Sequence, residues 1–165
     1  MRLVLSVLII FASFPAFAQE EETAFRSTGY PLPRFVSLRS DQVYVRSGPG
    51  QKYPVQWVFK KSALPVEIIL EYDVWRKIRD VEGQVGWIHK SLLSGRRSAF
   101  VKGKQLTPIY KKMSKDSQVM AKLEPKVLVS VAECASEWCF VNASGYKGWI
   151  DKTHLWGVYE HEKFD

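Results

Sequence analysis

The two cysteines, Cys134 and Cys139, are the only thiols in the sequence, and four residues separate them. A nucleophilic cysteine needs a free thiol beside a histidine, and a zinc site needs four ligands. The histidines, His89, His154 and His161, are spread along the chain instead of clustering near the pair. A close pair of cysteines in an oxidising compartment usually forms a disulfide. We therefore predict a disulfide and no metal site.

Other catalytic arrangements find little support in the sequence. No G-x-S-x-G turn occurs that would expose a nucleophilic serine. A carboxylate pair for glycoside cleavage can be assembled from almost any acidic protein, so the 17 Asp and Glu residues carry no signal by themselves. We expect a protein that is not an enzyme and that needs no cofactor.

Aromatic and acidic side chains in the first half of the chain point to ligand binding. The candidates for a groove are Tyr53, Trp57, Tyr72, Asp73 and Trp75. Such a groove accepts an extended or glycan-linked peptide, with planar rings against the ligand and a carboxylate for an amino group. Packing in the core or in a loop is the alternative for these rings.

The elements that would position these residues occur twice. Gly86-Trp87-Ile88 recurs as Gly148-Trp149-Ile150, and Trp75 has a counterpart in Trp138. Further landmarks recur in the same order with nearly constant spacing, so chance is a poor explanation. Trp138 is therefore the groove candidate of the second copy, and core packing is equally compatible with its position.

Each copy has the pattern of short strands joined by tight turns. Val43 and Val45 alternate with polar neighbours, which suits a half-buried strand. Ser47-Gly48-Pro49-Gly50 is a concentrated turn signal, and the mature chain has no sustained helical period. Many short strands at close spacing predict an all-β fold of two small open barrels in tandem.

The first copy contains the motifs Val45-Arg46-Ser47-Gly48-Pro49-Gly50, Leu64-Pro65-Val66, Trp75-Arg76-Lys77-Ile78 and Gly86-Trp87-Ile88. With these motifs in this order, residues 35–97 resemble the bacterial SH3 domain family found in exported proteins of proteobacteria. The second copy, about 99–156, resembles the same family but lacks the Arg-Ser-Gly-Pro-Gly loop. The resemblance implies SH3-like barrels of five to six strands and recognition of peptidoglycan or cell-surface partners.

The first 18 residues predict a signal peptide. Met1-Arg2 is a positive start, an apolar run extends from Leu3 to Phe14, and Ala16-Phe17-Ala18 is a small-residue cleavage signal. The run is shorter than the roughly 20 residues that span a bilayer. We expect cleavage after Ala18 and a mature protein that is periplasmic or secreted.

The remaining domain boundaries follow from the two copies of the repeat and the segments that flank them. The sequence predicts a polar N-terminal tail (19–34), a first barrel (35–94), a linker (95–98), a diverged second barrel (99–158) and a C-terminal tail (159–165).

The formal net charge of +7 bears on the partners. An exported protein meets anionic envelope surfaces and little nucleic acid, so we expect basic residues to contact such surfaces and no nucleic acid to bind. An ordinary solvated face is the other interpretation. The favoured ligand is peptidoglycan, and the alternative is a scaffold that recruits an envelope protein or peptide. The sequence carries no signal for the oligomeric state.

Overall fold

The computed structural model describes residues 28–165, so the predicted signal peptide and its cleavage site lie outside the described residues. The described chain forms two antiparallel sheets of seven strands each, with two single-turn 3-10 helices. Within this part of the chain, no helix has the length and apolar character required to cross a membrane.

The first sheet has the strand order β3-β2-β6-β5-β4-β1-β7. Its strands are β1 (Arg34–Leu38), β2 (Val43–Arg46), β3 (Val55–Phe59), β4 (Pro65–Tyr72), β5 (Trp75–Arg79), β6 (Val85–His89) and β7 (Leu93–Ser94). A 3-10 helix, Lys90–Leu92, connects the last two strands.

The second sheet repeats this topology in the order β10-β9-β13-β12-β11-β8-β14. Its strands are β8 (Ser98–Val101), β9 (Thr107–Tyr110), β10 (Val119–Leu123), β11 (Leu128–Ala135), β12 (Trp138–Ala143), β13 (Tyr146–Asp151) and β14 (Leu155–Trp156). A 3-10 helix, Lys152–His154, again precedes the last strand. The prediction of an all-β fold with two tandem SH3-like barrels is confirmed.

Alternating side chains build a separate core in each barrel. In β2, Val43 and Val45 are fully buried while Tyr44 between them is exposed, as the sequence pattern predicts. The first core also contains Leu38, Val66, Ile68, Ile78, Ile88 and Leu93. The second is built from Ala99, Val101, Ile109, Leu123, Val129, Val131, Cys134, Cys139, Val141, Ala143, Ile150, Leu155 and Val158.

One buried cross-strand position is filled differently in the two barrels. In the first barrel, Glu71 on β4 lies opposite Arg76 on β5, and the two form an ion pair of 3.1 Å. In the second barrel, Cys134 lies opposite Cys139 at the corresponding register, and the two form the predicted disulfide. Each of these four residues is at most 3% exposed. The hairpin of each barrel is thus closed by a buried pair of different chemistry.

Gly86 of the Gly-Trp-Ile motif allows β6 to pack closely over β2. A Cβ atom at this position would overlap the fully buried Val45 side chain and lie 3.0 Å from the Trp57 ring. We expect Gly86→Ala to lower the free energy of unfolding by about 1–3 kcal/mol, because overpacking of a close-packed core is destabilising. Chemical denaturation measures the change. Gly95→Ala is the matched control, since a Cβ there meets no atom within 4 Å, and an equal loss in both variants would contradict the packing explanation.

The two barrels contact each other through polar and aromatic groups. The hydroxyls of Ser37 and Ser98 are buried and lie 2.5 Å apart, and the Ser98 hydroxyl donates to the Ala63 carbonyl at 2.6 Å. The Phe35 ring packs edge-on against Trp156 with centroids 5.1 Å apart. Residues on β1 thus lie against β8 and β14.

The segments predicted as linker and C-terminal tail are part of the folded structure. Ser98, assigned to the linker, begins β8. In the C-terminal segment, Cys134 and Phe164 exchange two backbone hydrogen bonds, and the Tyr159 hydroxyl donates to Glu67 of the first barrel at 2.7 Å. Burial and hydrogen bonding to Glu67 raise the pKa of Tyr159, so it remains a donor at neutral pH. Residues 159–165 therefore pack on both barrels.

Candidate functional site

The clearest aromatic surface of the first barrel lies where the β4–β5 hairpin turns. Trp75 begins β5 opposite Tyr72, and its half-buried ring packs edge-on against His89 with centroids 5.5 Å apart. Tyr72 is 40% exposed, and Asp73 is an exposed turn residue with φ 48°. We call Tyr72, Asp73, Trp75 and His89 the Trp75 surface.

The buried side chain of Arg76 holds the backbone of the Trp75 surface from the inner face of the sheet. Nη1 of Arg76 donates to the carbonyls of Asp73 and Trp75, at 2.7 and 2.8 Å. Its Nε pairs with Glu71, which also accepts hydrogen bonds from Arg34 and Thr28. The turn that presents the aromatic rings is therefore held by a buried ionic network.

The ionic network also determines the charge state of its carboxylate. Burial opposes ionisation of Glu71, but hydrogen bonds from Thr28 and Arg34 and the charges of Arg34 and Arg76 outweigh it. The pKa of Glu71 is consequently lowered, and the carboxylate remains ionised at neutral pH.

The remaining groove candidates of the first barrel, Trp57 and Tyr53, do not lie beside Trp75. Trp57 is the register partner of the core residue Val45, so its ring faces inward and packs against the first core. Trp75 is next to the inward-facing Arg76 in β5, so its side chain points to the opposite, outer face. The single groove expected from the sequence is thus divided, with Trp57 and Trp75 on opposite faces of the sheet.

Tyr53 belongs to the loop of residues 47–54, between β2 and β3. Its ring covers Gly48, where a Cβ atom would lie 2.5 Å from the ring carbons, and its carbonyl accepts a 2.7 Å hydrogen bond from Arg46 Nη1. These contacts show how Arg46 and Gly48 of the loop motif shape the turn. They place Tyr53 in loop packing, the alternative noted for this ring.

Trp57 lines a cavity near the junction of the two barrels. This cavity has a volume of about 460 Å³, and its walls include Phe59, Phe100 of the second barrel and the acidic residues Asp80 and Glu82. The indole Nε1 of Trp57 is buried and has no hydrogen-bond partner among residues 28–165. Asp80 is already engaged, since its carboxylate accepts from the backbone N–H groups of Glu82 and Gln84.

Trp138 occupies the position of Trp75 in the second barrel, but its neighbours differ. Its half-buried ring packs edge-on against Tyr110 with centroids 5.8 Å apart, and Asp151 replaces His89 as the partner across the strands. Burial opposes ionisation of Asp151, but hydrogen bonds from Thr153 and Lys115 outweigh it and lower its pKa. The second surface therefore has an aspartate, paired with Lys115 at 3.4 Å, at the position where the first has an imidazole.

His89 is the member of the Trp75 surface that the sequence did not single out. The sequence could have indicated it, because a β5–β6 hairpin that turns at residues 80–84 places position 89 opposite position 75. Within residues 28–165, no group of three His, Cys, Asp or Glu side chains has an arrangement that could hold a metal ion.

The internal repeat agrees with a comparison against protein families. The model described as "Bacterial SH3 domain" matches residues 39–95 and again 103–157, one match for each barrel. The chain belongs to the bacterial SH3 domain family. The resemblance inferred from the motifs is thereby confirmed for both copies, including the second one that lacks the Arg-Ser-Gly-Pro-Gly loop. A bacterial SH3 domain is a binding domain, and this chain carries two.

The matches among solved structures include two proteins of Trichomonas vaginalis. NlpC1 is 16% identical with a TM-score of 0.35, covering 84% of this bacterial SH3 chain and 50% of its own. NlpC2 is 15% identical with a TM-score of 0.37, covering 82% and 52%. The chain thus spans about half the length of each. No curated protein matches it.

Proposed function

We propose that this chain is a non-catalytic binding module, exported to the periplasm or beyond by its N-terminal signal peptide, that recognises peptidoglycan through the Trp75 surface. The observation that carries the proposal is the pair of solvent-accessible rings, Tyr72 and Trp75, on a turn fixed by the buried Arg76. Membership of a binding-domain family supports it.

The chemistry of peptidoglycan suits this surface. Its stem peptides are extended and carry both carboxylates and amino groups, and its sugars present apolar ring faces. Planar aromatic rings bind such faces with little loss of side-chain entropy. His89 supports the Trp75 ring edge-on at 5.5 Å, and Asp73 lies in the turn beside the two rings.

The positive charge of the whole protein surface also favours a polyanionic partner. Basic side chains are exposed on both barrels, among them Lys60, Lys61, Lys102, Lys111 and Lys112. They would attract wall polymers over roughly a Debye length of about 8 Å at physiological salt. This contribution steers association and falls with ionic strength, whereas contacts of the aromatic rings persist.

We expect the mature protein to sediment with purified peptidoglycan sacculi at low and at moderate salt. Tyr72→Ala should weaken binding about tenfold, which corresponds to about 1.4 kcal/mol for one lost ring contact. Trp75→Ala should weaken it at least as much.

Tyr146→Ala is the matched control, because this tyrosine is 63% exposed on the second barrel and lies away from the Trp75 surface. Melting curves establish that the variants are folded. Failure of the unaltered protein to sediment at either salt would overturn the peptidoglycan assignment.

A protein-recruiting scaffold is the second candidate, and the ends of the two sheets favour it. β3 and β10 are terminal strands, and they expose apolar side chains at Val55, Val119 and Met120. Such an edge can accept an extended peptide as an additional strand. Crosslinking in cells should then yield one dominant protein. That product should be lost in Met120→Lys, since a lysine blocks strand addition at an edge.

A further inference from the structure

A row of large apolar side chains crosses the outer face of the second barrel. Register pairing places Val119 of β10, Tyr110 of β9, Trp149 of β13 and Phe140 of β12 side by side across four neighbouring strands. The residues that flank the three rings along their strands belong to the buried core, namely Ile109, Cys139, Val141 and Ile150. Side chains alternate between the two faces of a strand, so the row points outward. We call these four residues the aromatic row.

The rings of the aromatic row contact one another and are partly exposed to solvent. The Phe140 and Trp149 rings lie with centroids 5.3 Å apart, and the Tyr110 ring packs edge-on against Trp138 at 5.8 Å. All four rings are partly exposed, and Val119 is 44% exposed. Neighbouring strands are about 4.8 Å apart, so the row extends over roughly 15 Å of the outer face.

The first barrel shows that this fold does not require the aromatic row. The equivalent positions of the first barrel hold Val55, Arg46, Trp87 and Lys77. Nζ of Lys77 lies 6.0 Å from the centroid of the Trp87 ring, and Trp87 is only 8% exposed. Two charged residues thus stand where the second barrel has Tyr110 and Phe140, and they interrupt the row. Folding of the barrel therefore does not explain why the second copy presents these rings.

The exposed area of the aromatic row limits what can cover it. A large aromatic side chain has about 150–250 Å² of surface to bury, and most of each ring is already covered, so the four rings together expose on the order of 300 Å². A stable protein interface buries about 800 Å² on each partner. Exposed apolar patches of a few hundred Å² often mark ligand sites. The row therefore matches a slender ligand better than the surface of a folded protein.

Charged residues of both signs border the aromatic row. Glu133 is the register partner of Phe140, and Lys147 extends outward from β13. Asp151 pairs with Lys115 at 3.4 Å. The two carboxylates and the two ammonium groups balance, so the border does not select an ion, but it supplies hydrogen-bond donors and acceptors.

A linear glycan combines the properties that this surface selects. Its sugar rings have apolar faces that planar aromatic side chains cover, and its hydroxyl groups can bond to a polar border and to the N–H and O–H groups of tryptophan and tyrosine. We infer that the aromatic row binds the sugar rings of a linear, uncharged glycan. This second site goes beyond the proposed contact through the Trp75 surface and does not rest on it.

Calorimetric titration of the full mature chain with the tetramer of N-acetylglucosamine tests the inference, because this soluble glycan has neither charge nor peptide. We expect the tetramer to bind and Phe140→Lys to weaken its affinity about tenfold or more, since the ammonium group interrupts the row. The first barrel has a lysine at the equivalent position, so the fold accommodates this side chain. Phe140→Tyr keeps a planar ring and should bind within about twofold of the unaltered protein.

Two control variants locate the binding. Tyr44→Ala removes an exposed tyrosine of the first barrel, and Tyr72→Ala alters the Trp75 surface; both should leave the affinity for the tetramer unchanged. Melting curves establish that the variants are folded. Absence of binding by the unaltered protein, an unchanged affinity in Phe140→Lys, or an equal loss in Tyr72→Ala would each overturn the inference. A protein that crosslinks to the chain in cells and is lost in Phe140→Lys, without any glycan binding, would overturn it in favour of a protein partner.

The titration and the sacculus experiment fail separately. Sedimentation with sacculi that Tyr72→Ala weakens, without binding of the tetramer, would overturn the second site and leave the proposed function intact. Binding of the tetramer by a protein that does not sediment with sacculi would support the second site and overturn the peptidoglycan assignment.

Discussion

Replacing Glu71 by glutamine is expected to lower the free energy of unfolding by about 3–5 kcal/mol. Glutamine keeps the shape of the side chain but removes the negative charge that compensates Arg76, which is 3% exposed. The guanidinium of Arg76 would then be buried without its ionic partner at 3.1 Å. The loss is a large fraction of the 5–15 kcal/mol that stabilises a typical domain.

Urea or guanidinium denaturation at neutral pH measures this change. Glu82→Gln is the matched control, because Glu82 is exposed and belongs to the β5–β6 turn of the same barrel. A loss below 1 kcal/mol in Glu71→Gln would show that the buried ion pair does not hold the hairpin.

The same network predicts how stability depends on pH. The pKa of Glu71 is lower in the folded chain than in the unfolded chain, so its contribution is fully present above the ordinary range of a glutamate. It is lost as the pH falls below about 4 and through the lowered pKa. Denaturation midpoints measured from pH 7 to pH 2 should therefore fall less steeply in Glu71→Gln than in the unaltered protein.

Replacing Lys152 by methionine is expected to release the C-terminal segment and to destabilise the second barrel by about 3 kcal/mol or more. Nζ of Lys152 is buried and donates to the carbonyls of Ser136, Glu160 and Glu162, with the last two bonds at 3.2 and 2.6 Å. Methionine fills the volume but leaves the three acceptors without this donor.

Hydrogen exchange of residues 159–165 and thermal unfolding test this prediction together. Lys147→Met is the matched control, because Lys147 is exposed on β13 of the same barrel. Protection of the C-terminal segment that survives in Lys152→Met would contradict the assigned role of this ammonium group.

The sequence predicts the fold well because its signals are local and are repeated. The Gly-Trp-Ile strand, the alternation in β2 and the turn residues each specify one element, and their recurrence specifies the second barrel. The disulfide followed from composition and spacing. The domain boundaries were harder to predict, because residues 159–165 owe their position in part to Arg97 and Glu67, which are distant in sequence.

The candidate site was predictable only in part. Tyr72, Asp73 and Trp75 are close because a single tight turn connects them, which the sequence indicates. The inward orientation of Trp57 depends on the register of β3 against β2, where a one-residue shift would exchange the two faces. The ion pair of Glu71 and Arg76 was detectable, because alignment of Trp75 with Trp138 places these residues at the positions of the two cysteines.

The two chemistries at this equivalent position also constrain the evolutionary history of the repeat. If both barrels descend from one ancestral copy, at least one of them exchanged both members of its buried pair. A single substitution would have left an arginine or a glutamate without its partner, at a cost comparable to that expected for Glu71→Gln. A route through an uncharged pair avoids that cost, and relatives that carry such a pair would record the order of the two substitutions.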